Sequence, residues 1–352
     1  MKQLSSLVEY GFRRVCITFA AIICIVLSVM NYSVVNPAFS EMKANLGISS
    51  DQLIWVVAAY SFGNLVIMAL SNWLSGLLGR RDYLVITIIL FTVGSFFCGN
   101  ATDIRELAIF RFLQGLGGGG MLVLSHTMIT ESWPVEKRAT SQVFVMLGML
   151  AGGALAQPFG GYTADNYSWP YIFFANIPVG IIAGVLVLIF VRNGSYEKRT
   201  TGMLQHSHVR TGLVLSFITA LGVAGSSVTM ASLAGAPASA NPLWSIIALP
   251  IVVLPATAFL IEKAQGLKYM MIIIGLLLLT VCCFISYRHI SVDTFPLWLV
   301  RGVAVAALSL SVCTLTLSKL EGKQVGQGVL LYNITQQLGG TIGIALFSIL
   351  VA

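Results

Sequence analysis

The sequence predicts an all-α, polytopic membrane protein, and three observations support this fold class. Hydrophobic residues make up 57% of the 352 residues and charged residues only 9%, whereas a soluble domain has about 25% charged residues. The mean hydropathy is +0.88. About eleven apolar stretches are long enough to cross a hydrocarbon core of about 30 Å as helices. The net charge of +7 lies in short loops between these stretches, so it indicates membrane orientation and not nucleic-acid binding.

The predicted spans follow one another along the whole chain. The first is too long for a signal peptide and lacks a small-residue cleavage site, so we expect it to be retained. Asn31, Asn36 and Pro37 near its far end are polar or helix-breaking, as expected where a helix lines a cavity. In residue numbers the spans are 15–35, 53–71, 83–99, 104–129, 139–162, 170–191, 211–233, 243–261, 268–287, 295–318 and 327–351.

Basic residues predict the orientation of these spans. If the N-terminus is cytoplasmic, the loops facing outward hold only Lys43, Arg105 and Arg288, and the inward loops hold the other loop arginines and lysines. This asymmetry follows the positive-inside rule. We therefore expect a multi-pass protein of the cell inner (plasma) membrane with a cytoplasmic N-terminus. Arg111 and Arg301 remain within spans.

The span 104–129 carries the most unusual pattern, IFRFLQGLGGGG. A charge inside a span is costly and usually faces a bundle interior or a wet cavity. At about 100° per residue, the helix face of Arg111 also holds Gly115, Gly118, Leu122 and Ser125, flanked by Gln114 and His126. Two interpretations remain. Either Arg111 reaches the nearby membrane interface and the glycines only pack, or the cation, amide and imidazole face a functional cavity.

The sequence shows no signature of an enzyme, a cofactor or a metal. It has no paired intramembrane carboxylates, no H-E-x-x-H, no G-x-S-x-G and no P-loop. His206 and His208 form an H-x-H pair in the basic linker 193–210, where solvation is a better interpretation than metal binding. The six cysteines have no metal-ligand spacing and are interpreted as small core hydrophobes.

Four stretches resemble the major facilitator superfamily, specifically its 14-span drug:proton antiporter (multidrug efflux) branch. The loop NWLSGLLGRRDYL matches the G-x-L-A-D-R-x-G-R-R pattern at Gly79, Arg80 and Arg81, but has Gly76 in place of the acid and Leu77 in place of the first arginine. Span 4 matches R-x-x-Q-G at Arg111, Gln114 and Gly115. The loop WPVEKR also fits. The stretch from span 5 into span 6 resembles the antiporter motif at Pro158, Gly160, Gly161, Trp169, Phe173, Asn176, Pro178 and Gly180, and departs from it at Gln157 and Pro170.

The resemblance implies a major-facilitator-type fold that works by rocking of two bundles around a midplane cavity. By this comparison, residues 1–192 form a complete six-helix N-terminal bundle and 193–210 a cytoplasmic linker. Residues 211–265 would be the two extra central helices of the branch. Residues 266–352 would be a truncated C-terminal bundle of three helices, with about three spans absent.

The resemblance also implies how the site would work. Arg111 would stabilise the cavity, and the span 5 glycines with Pro158 would form a close interface that restrains leakage. Asn31 stands where many members of the branch have a proton-carrying acid. His126 is then either a proton carrier, since histidine titrates near pH 6.5, or a neutral hydrogen-bonding replacement for glutamine. Burial and the Arg111 cation both favour neutral His126, so we expect weak or absent proton coupling.

Two functions follow from the sequence. The first is export of hydrophobic or amphipathic small molecules by proton antiport, with Asn31, Arg111, Gln114, His126 and Arg301 on the substrate or proton pathway. Met, Phe and Trp side chains in the spans suit amphipathic compounds. The second is a non-transporting remnant or membrane-binding partner of the same family. The lipid bilayer is a partner in both cases, and the sequence does not identify a periplasmic adaptor.

Overall fold

The computed structural model describes residues 11–193, 205–234, 243–264, 266–287, 294–320 and 322–351. Every regular element within these ranges is helical, and a helix lies at each of the eleven predicted spans. Nine helices of the described residues are long and apolar enough to cross a membrane. The predicted fold class, an all-α polytopic membrane protein, is therefore confirmed.

Thirteen α-helices follow one another in the described part of the chain. They are α1 (Phe12–Met30), α2 (Phe39–Leu46), α3 (Ser50–Leu78), α4 (Arg80–Gly99), α5 (Ile104–Ser132), α6 (Arg138–Asn166), α7 (Pro170–Phe174), α8 (Asn176–Phe190), α9 (Ser207–Ala234), α10 (Leu243–Lys263), α11 (Leu267–Tyr287), α12 (Thr294–Leu317) and α13 (Lys323–Val351).

Several predicted spans have the wrong bounds, and the second, predicted as 53–71, is the longer helix Ser50–Leu78. The first, predicted as 15–35, ends at Met30. The Asn31 side chain donates to the Leu27 carbonyl oxygen at 2.9 Å, which competes with the main-chain ladder, and Pro37 cannot donate a helical hydrogen bond. A short 3-10 turn and α2 follow instead. The span 170–191 is divided at Ala175 into α7 and α8.

The chain divides into two compact units. The first comprises Met1–Trp133 and Phe144–Arg199, and the second Pro134–Val143 and Thr200–Ala352. In the first unit α5 packs against α1, α3 and α4. Its glycines permit this, because a Cβ on Gly115 would overlap the Tyr60 carbonyl oxygen of α3, and one on Gly117 would overlap the Phe91 nitrogen of α4.

In the second unit α9 lies along α13, and α12 packs against α9, α10 and α11. A Cβ added at Gly339 or Gly343 would lie 2.6 Å from a carbonyl oxygen of α9, so these glycines set the α9–α13 distance. All of α9 to α13 belongs to this one unit, as do the first residues of α6. The division into 193–210, 211–265 and 266–352 stays a prediction.

Candidate functional site

Arg111 lies in the interior of the first unit, with 0% of its surface exposed. Its Nη2 donates to the Asn31 carbonyl oxygen at 2.8 Å, its Nε to the Val56 carbonyl oxygen at 3.1 Å and its Nη1 to Gln114 Oε1 at 2.7 Å. Three helices or helix ends thus meet on one guanidinium. The interpretation in which Arg111 reaches the membrane interface is wrong, because these three acceptors hold it inside the bundle.

Amide side chains extend this cluster. Gln114 Nε2 donates to Asn31 Oδ1 at 3.2 Å and to Ser95 Oγ at 2.7 Å. Asn31 and Asn176 donate to each other, at 3.2 and 3.1 Å. All four residues are 0% exposed. We call Asn31, Ser95, Arg111, Gln114 and Asn176 the arginine cluster.

The charge of Arg111 is balanced without a carboxylate among the residues that the structure describes. Two of its acceptors are main-chain carbonyls. One of them belongs to Asn31, the C-cap residue of α1, and the dipole of a helix favours a cation at its C-terminal end. The guanidinium carbon also lies 4.3 Å from the Tyr60 ring centroid and 5.6 Å from that of Phe173, within cation–π range. The cluster therefore holds a fixed positive charge but no group that exchanges protons near neutral pH.

Several residues that build this site could not be identified from the sequence. Tyr60 supplies the ring under Arg111, and its hydroxyl donates to the Ser28 carbonyl oxygen at 2.8 Å. Gly94 lets α4 approach α5, because a Cβ there would lie 2.8 Å from the Gln114 Cα. A buried serine, tyrosine or glycine in an apolar span has no distinctive sequence pattern, so only the contacts reveal these positions.

His126 lies on α5 and is 0% exposed, but it is not part of the arginine cluster. Fifteen residues separate it from Arg111, which is about 22 Å along a helix axis. The expectation that Arg111 favours neutral His126 as a near neighbour is therefore wrong, since the helix rise places them far apart.

Residues of the G-R-R motif form a second polar group at one end of the first unit. Arg80 pairs with Glu131 of α5, so an acid from another helix stands in for the acid that Gly76 replaces. Gly79 has φ +83°, and a Cβ there would lie 2.8 Å from Asn193 Oδ1. That Asn193 oxygen accepts from the Arg81 nitrogen at 3.0 Å. Gly79 is thus required both for its conformation and for its space.

The antiporter-motif glycines of α6 differ in their surroundings. A Cβ on Gly160 would overlap the Val34 carbonyl oxygen just beyond α1, whereas one on Gly161 would make an ordinary 3.8 Å contact with Pro37. Pro158 lies inside α6. The close α6 contact with the chain after α1 therefore rests on Gly160.

Arg301 of α12 lies in the second unit. Its Nε donates to Ser226 Oγ at 2.9 Å and its Nη2 to the Val223 carbonyl oxygen at 3.1 Å and to Ser227 Oγ. The guanidinium carbon lies 5.6 Å from the Trp298 ring centroid. Arg301 is only partly buried, unlike Arg111.

The first turn of α6 is bound by Glu262, at the end of α10, within the second unit. Glu262 accepts from Lys137 Nζ at 2.8 Å and from the Thr140 nitrogen and hydroxyl at 2.9 and 2.6 Å. Partial burial raises the pKa of Glu262, but the hydrogen bonds from Lys137 and Thr140 outweigh it and hold the pKa below its ordinary value of 4.5. The carboxylate thus acts as an N-terminal cap of α6 from another helix.

Carboxylates are absent from the middle of the described spans. Each acid on these helices lies within three residues of a helix end, namely Asp51, Asp82, Glu106, Glu131, Asp165 and Glu262. Among the described residues no group of three histidine, cysteine, aspartate or glutamate side chains could hold a metal ion. The polar groups in the middle of the described helices are therefore arginines and neutral hydrogen-bonding side chains.

Comparison with known proteins gives a consistent family. Residues 21–344 match the family described as Major Facilitator Superfamily. The multidrug export protein EmrB of Escherichia coli (strain K12) is 28% identical over 182 residues, 52% of this chain and 36% of that protein. EmrB of Haemophilus influenzae is 28% identical over 206 residues, 58% of this chain and 39% of that protein. The matched part thus covers less than half the length of these relatives.

Two solved structures share the fold. The proton:xylose symporter XylE, bound to 6-bromo-6-deoxy-D-glucose, superposes with a TM-score of 0.70 at 17% identity, over 96% of this chain and 88% of that one. FucP in the outward conformation gives 0.71 at 13% identity, over 94% and 91%. At such identities the likeness shows the fold alone.

Proposed function

Because this chain belongs to the Major Facilitator Superfamily, we propose that it exports hydrophobic or amphipathic small molecules across the cell inner membrane by a weakly coupled proton antiport. Members of this family are carriers and not enzymes. The relatives' name, multidrug export protein, supports export and the substrate class. The observation that carries the proposal in this chain is the arginine cluster, since a buried cation with converging amides inside a span is typical of a transport site.

The arginine cluster supports a role in organising transport more than a role in carrying protons. Arg111 joins the end of α1, α3 and α5 through its three acceptors. The reciprocal Asn31–Asn176 pair adds α8. These hydrogen bonds join the C-terminal end of α1 to α3, α5 and α8. Proton antiport needs a further group that titrates, and His126 and the Arg80–Glu131 pair are the candidates in the first unit.

The test is dye transport in inverted membrane vesicles energised by respiration. We expect vesicles with the full chain to accumulate an amphipathic dye faster than vesicles with an empty vector, and a protonophore to lower the rate only by a small fraction, because weak proton coupling is expected. Uptake equal to the empty vector, with the protein shown to be in the membrane, would contradict export.

A second candidate is a non-transporting member of the family that binds in the membrane. The presence of neutral Asn31 at the place of the branch's acid favours it, because Asn31 cannot carry a proton. The vesicle assay separates the two functions, since this candidate predicts dye binding without accumulation.

The orientation forms part of the proposal. A cytoplasmic N-terminus places exposed Asn45 outside and exposed Glu136 inside. A cysteine at Asn45 should react with a membrane-impermeant maleimide in intact cells, and a cysteine at Glu136 only in inverted vesicles. The reverse pattern would mean that the orientation is wrong.

A further inference from the structure

The two units place an arginine at corresponding positions. Arg111 and Arg301 each lie on the fourth long helix of their unit, seven residues after its first residue, Ile104 or Thr294. Each donates to a main-chain carbonyl of the unit's first long helix or its cap, at Asn31 or Val223. Each also lies near an aromatic ring. The second unit thus repeats the arginine arrangement of the first.

The two arginines differ in burial and in the kind of group that accepts their hydrogen bonds. Arg111 is fully buried among fixed acceptors. Arg301 is partly buried, and two of its hydrogen-bond acceptors are serine hydroxyls, of which Ser227 is exposed. Both hydroxyls accept from Arg301 and donate to the Val223 carbonyl oxygen, at 2.8 and 2.9 Å. They therefore hold the guanidinium with neutral acceptors, and an incoming anion is a stronger acceptor than a hydroxyl. The arginine of the second unit is therefore suited to exchange partners.

Charge decides what such a partner would be. A guanidinium stays protonated in proteins, and the structure pairs no carboxylate with Arg301 in the ranges that it describes. The sequence has no aspartate or glutamate in 205–261 or 266–287, and the acid before Arg301, Asp293, lies outside the described residues. Guanidinium binds carboxylate and phosphate oxygens in pairs. The Trp298 ring beside Arg301 adds a flat apolar surface.

We propose that Arg301, with Ser226, Ser227 and Trp298, recognises the anionic group of an amphipathic compound. This inference rests on the proposed function and specifies its substrate class as amphipathic anions with a carboxylate or sulfonate. Arg111 then has the positioning role in its unit, and Arg301 the recognition role in the other.

The test uses two fluorescent probes that differ by one charged group. Anilinonaphthalene sulfonate carries the sulfonate, and phenylnaphthylamine is the same skeleton without it. Saturable binding of each is measured by fluorescence titration of the purified full chain in lipid nanodiscs. We expect Arg301→Gln to weaken binding of the sulfonate probe by about tenfold, the scale of one charged hydrogen bond, and to leave the neutral probe unchanged. Arg301→Lys should lie between, since it keeps the charge but loses the planar donor pair.

The controls separate recognition from packing. Arg105→Gln removes an exposed arginine of the first unit and should change neither probe. The double variant Ser226→Ala with Ser227→Ala keeps the charge and should weaken only the sulfonate probe, which keeps the inference testable if Arg301→Gln does not fold. Equal losses for both probes, or an unchanged sulfonate affinity, would overturn the inference. So would the same selective loss in Asp293→Asn, because Arg301 would then serve an internal ion pair.

Binding is measured without a gradient, so this test is independent of the proposed export. A chain that binds the sulfonate through Arg301 but moves no dye contradicts only export. A chain that moves dye but binds both probes equally well after Arg301→Gln contradicts only the anion site.

Discussion

At the residue scale, Arg111 shows how a cation is held within a membrane span by neutral groups. Its three acceptors come from different parts of the first unit, and two are main-chain carbonyls that substitution elsewhere cannot remove. An arginine is needed because only its planar, multi-donor group reaches all three acceptors at once.

We expect Arg111→Ala to abolish dye export while the protein still inserts in the membrane. It should also lower thermal stability, since a buried acceptor without its donor costs about 1–3 kcal/mol. Arg111→Lys should recover part of the stability and little of the export, because lysine lacks the fork. Thermal stability is measured by size-exclusion chromatography after heating to a series of temperatures, and export by dye uptake into inverted vesicles. Exposed Arg105→Ala on the same helix is the control, and normal export by Arg111→Ala would refute the role of this cluster.

Glu262 gives a pH prediction at the same scale. Its pKa is held below its ordinary value of 4.5 by Lys137 and Thr140, so the folded state favours the carboxylate. Its stabilisation is then fully present above about pH 4.5 and is lost as pH falls through the folded-state pKa. Because the pair is partly exposed, we expect about 1 kcal/mol or less.

The measurement is the melting temperature of the wild type and Glu262→Gln between pH 7 and pH 4. The variant should melt lower at pH 7, and the difference should shrink as the solution becomes acidic. Exposed Glu136→Gln, also in the loop before α6, should match the wild type throughout. A Glu262→Gln difference that is constant with pH would show that the carboxylate charge does not stabilise α6.

At the element scale, glycines decide which helices can touch. Gly160 and Gly153 lie on the same helix, but a Cβ on Gly160 would overlap the Val34 carbonyl oxygen, whereas Gly153 has nothing within 4 Å. Alanine inside a helix is intrinsically favoured over glycine by about 1 kcal/mol. The two positions should therefore respond to the same change with opposite signs.

Gly160→Ala should lower the melting temperature and weaken export, because α6 must move away from the chain after α1. Gly153→Ala should keep or raise the melting temperature, and Gly161→Ala should behave like it, given its 3.8 Å contact. Melting curves of the three variants side by side decide this. A destabilised Gly153→Ala or an unaffected Gly160→Ala would mean that α6 does not pack closely against the chain after α1 at Gly160.

Helix positions could be predicted from the sequence, but several of their ends could not. Length and hydropathy located a helix at each of the eleven predicted spans, and nine helices of the described residues are long and apolar enough to cross a membrane. The end of α1 at Met30 depends on an Asn31 side chain that bonds Leu27, and hydropathy does not register such a contact. The break at Ala175 could not be predicted from hydropathy either, because the segments on both sides of it are apolar.

The candidate site was predictable only in its charged and motif residues. Arg111, Gln114 and Asn31 stand out as polar residues in apolar spans, and the structure brings them together with Asn176. Tyr60, Ser95 and Gly94 do not stand out, because their roles arise from which helices α5 contacts. His126 lies beside the Arg111 face on a helical projection, but a projection omits the helix rise that separates the two residues.

At the scale of the whole molecule, the described helices of both units hold buried or partly buried arginines, and none of these helices has a carboxylate in its middle. Each acid on the described spans lies near a helix end, so a proton carried through the middle has few acceptors. The proposed export needs two bundles that alternate, while the described residues offer few groups that could couple such a motion to protons. Weak or absent proton coupling is therefore the central expectation for this chain.

Substrate-induced alkalinisation in inverted vesicles tests that expectation most directly. Vesicles with an imposed acid interior receive an amphipathic substrate, and an internal dye reports pH. We predict little or no alkalinisation beyond that of vesicles with an empty vector, and no further change in His126→Gln. A robust signal that disappears in His126→Gln would contradict the account by making this histidine the proton carrier. A robust signal that survives the change would contradict it differently, by assigning the proton to an acid near a helix end such as Glu106 or Glu131.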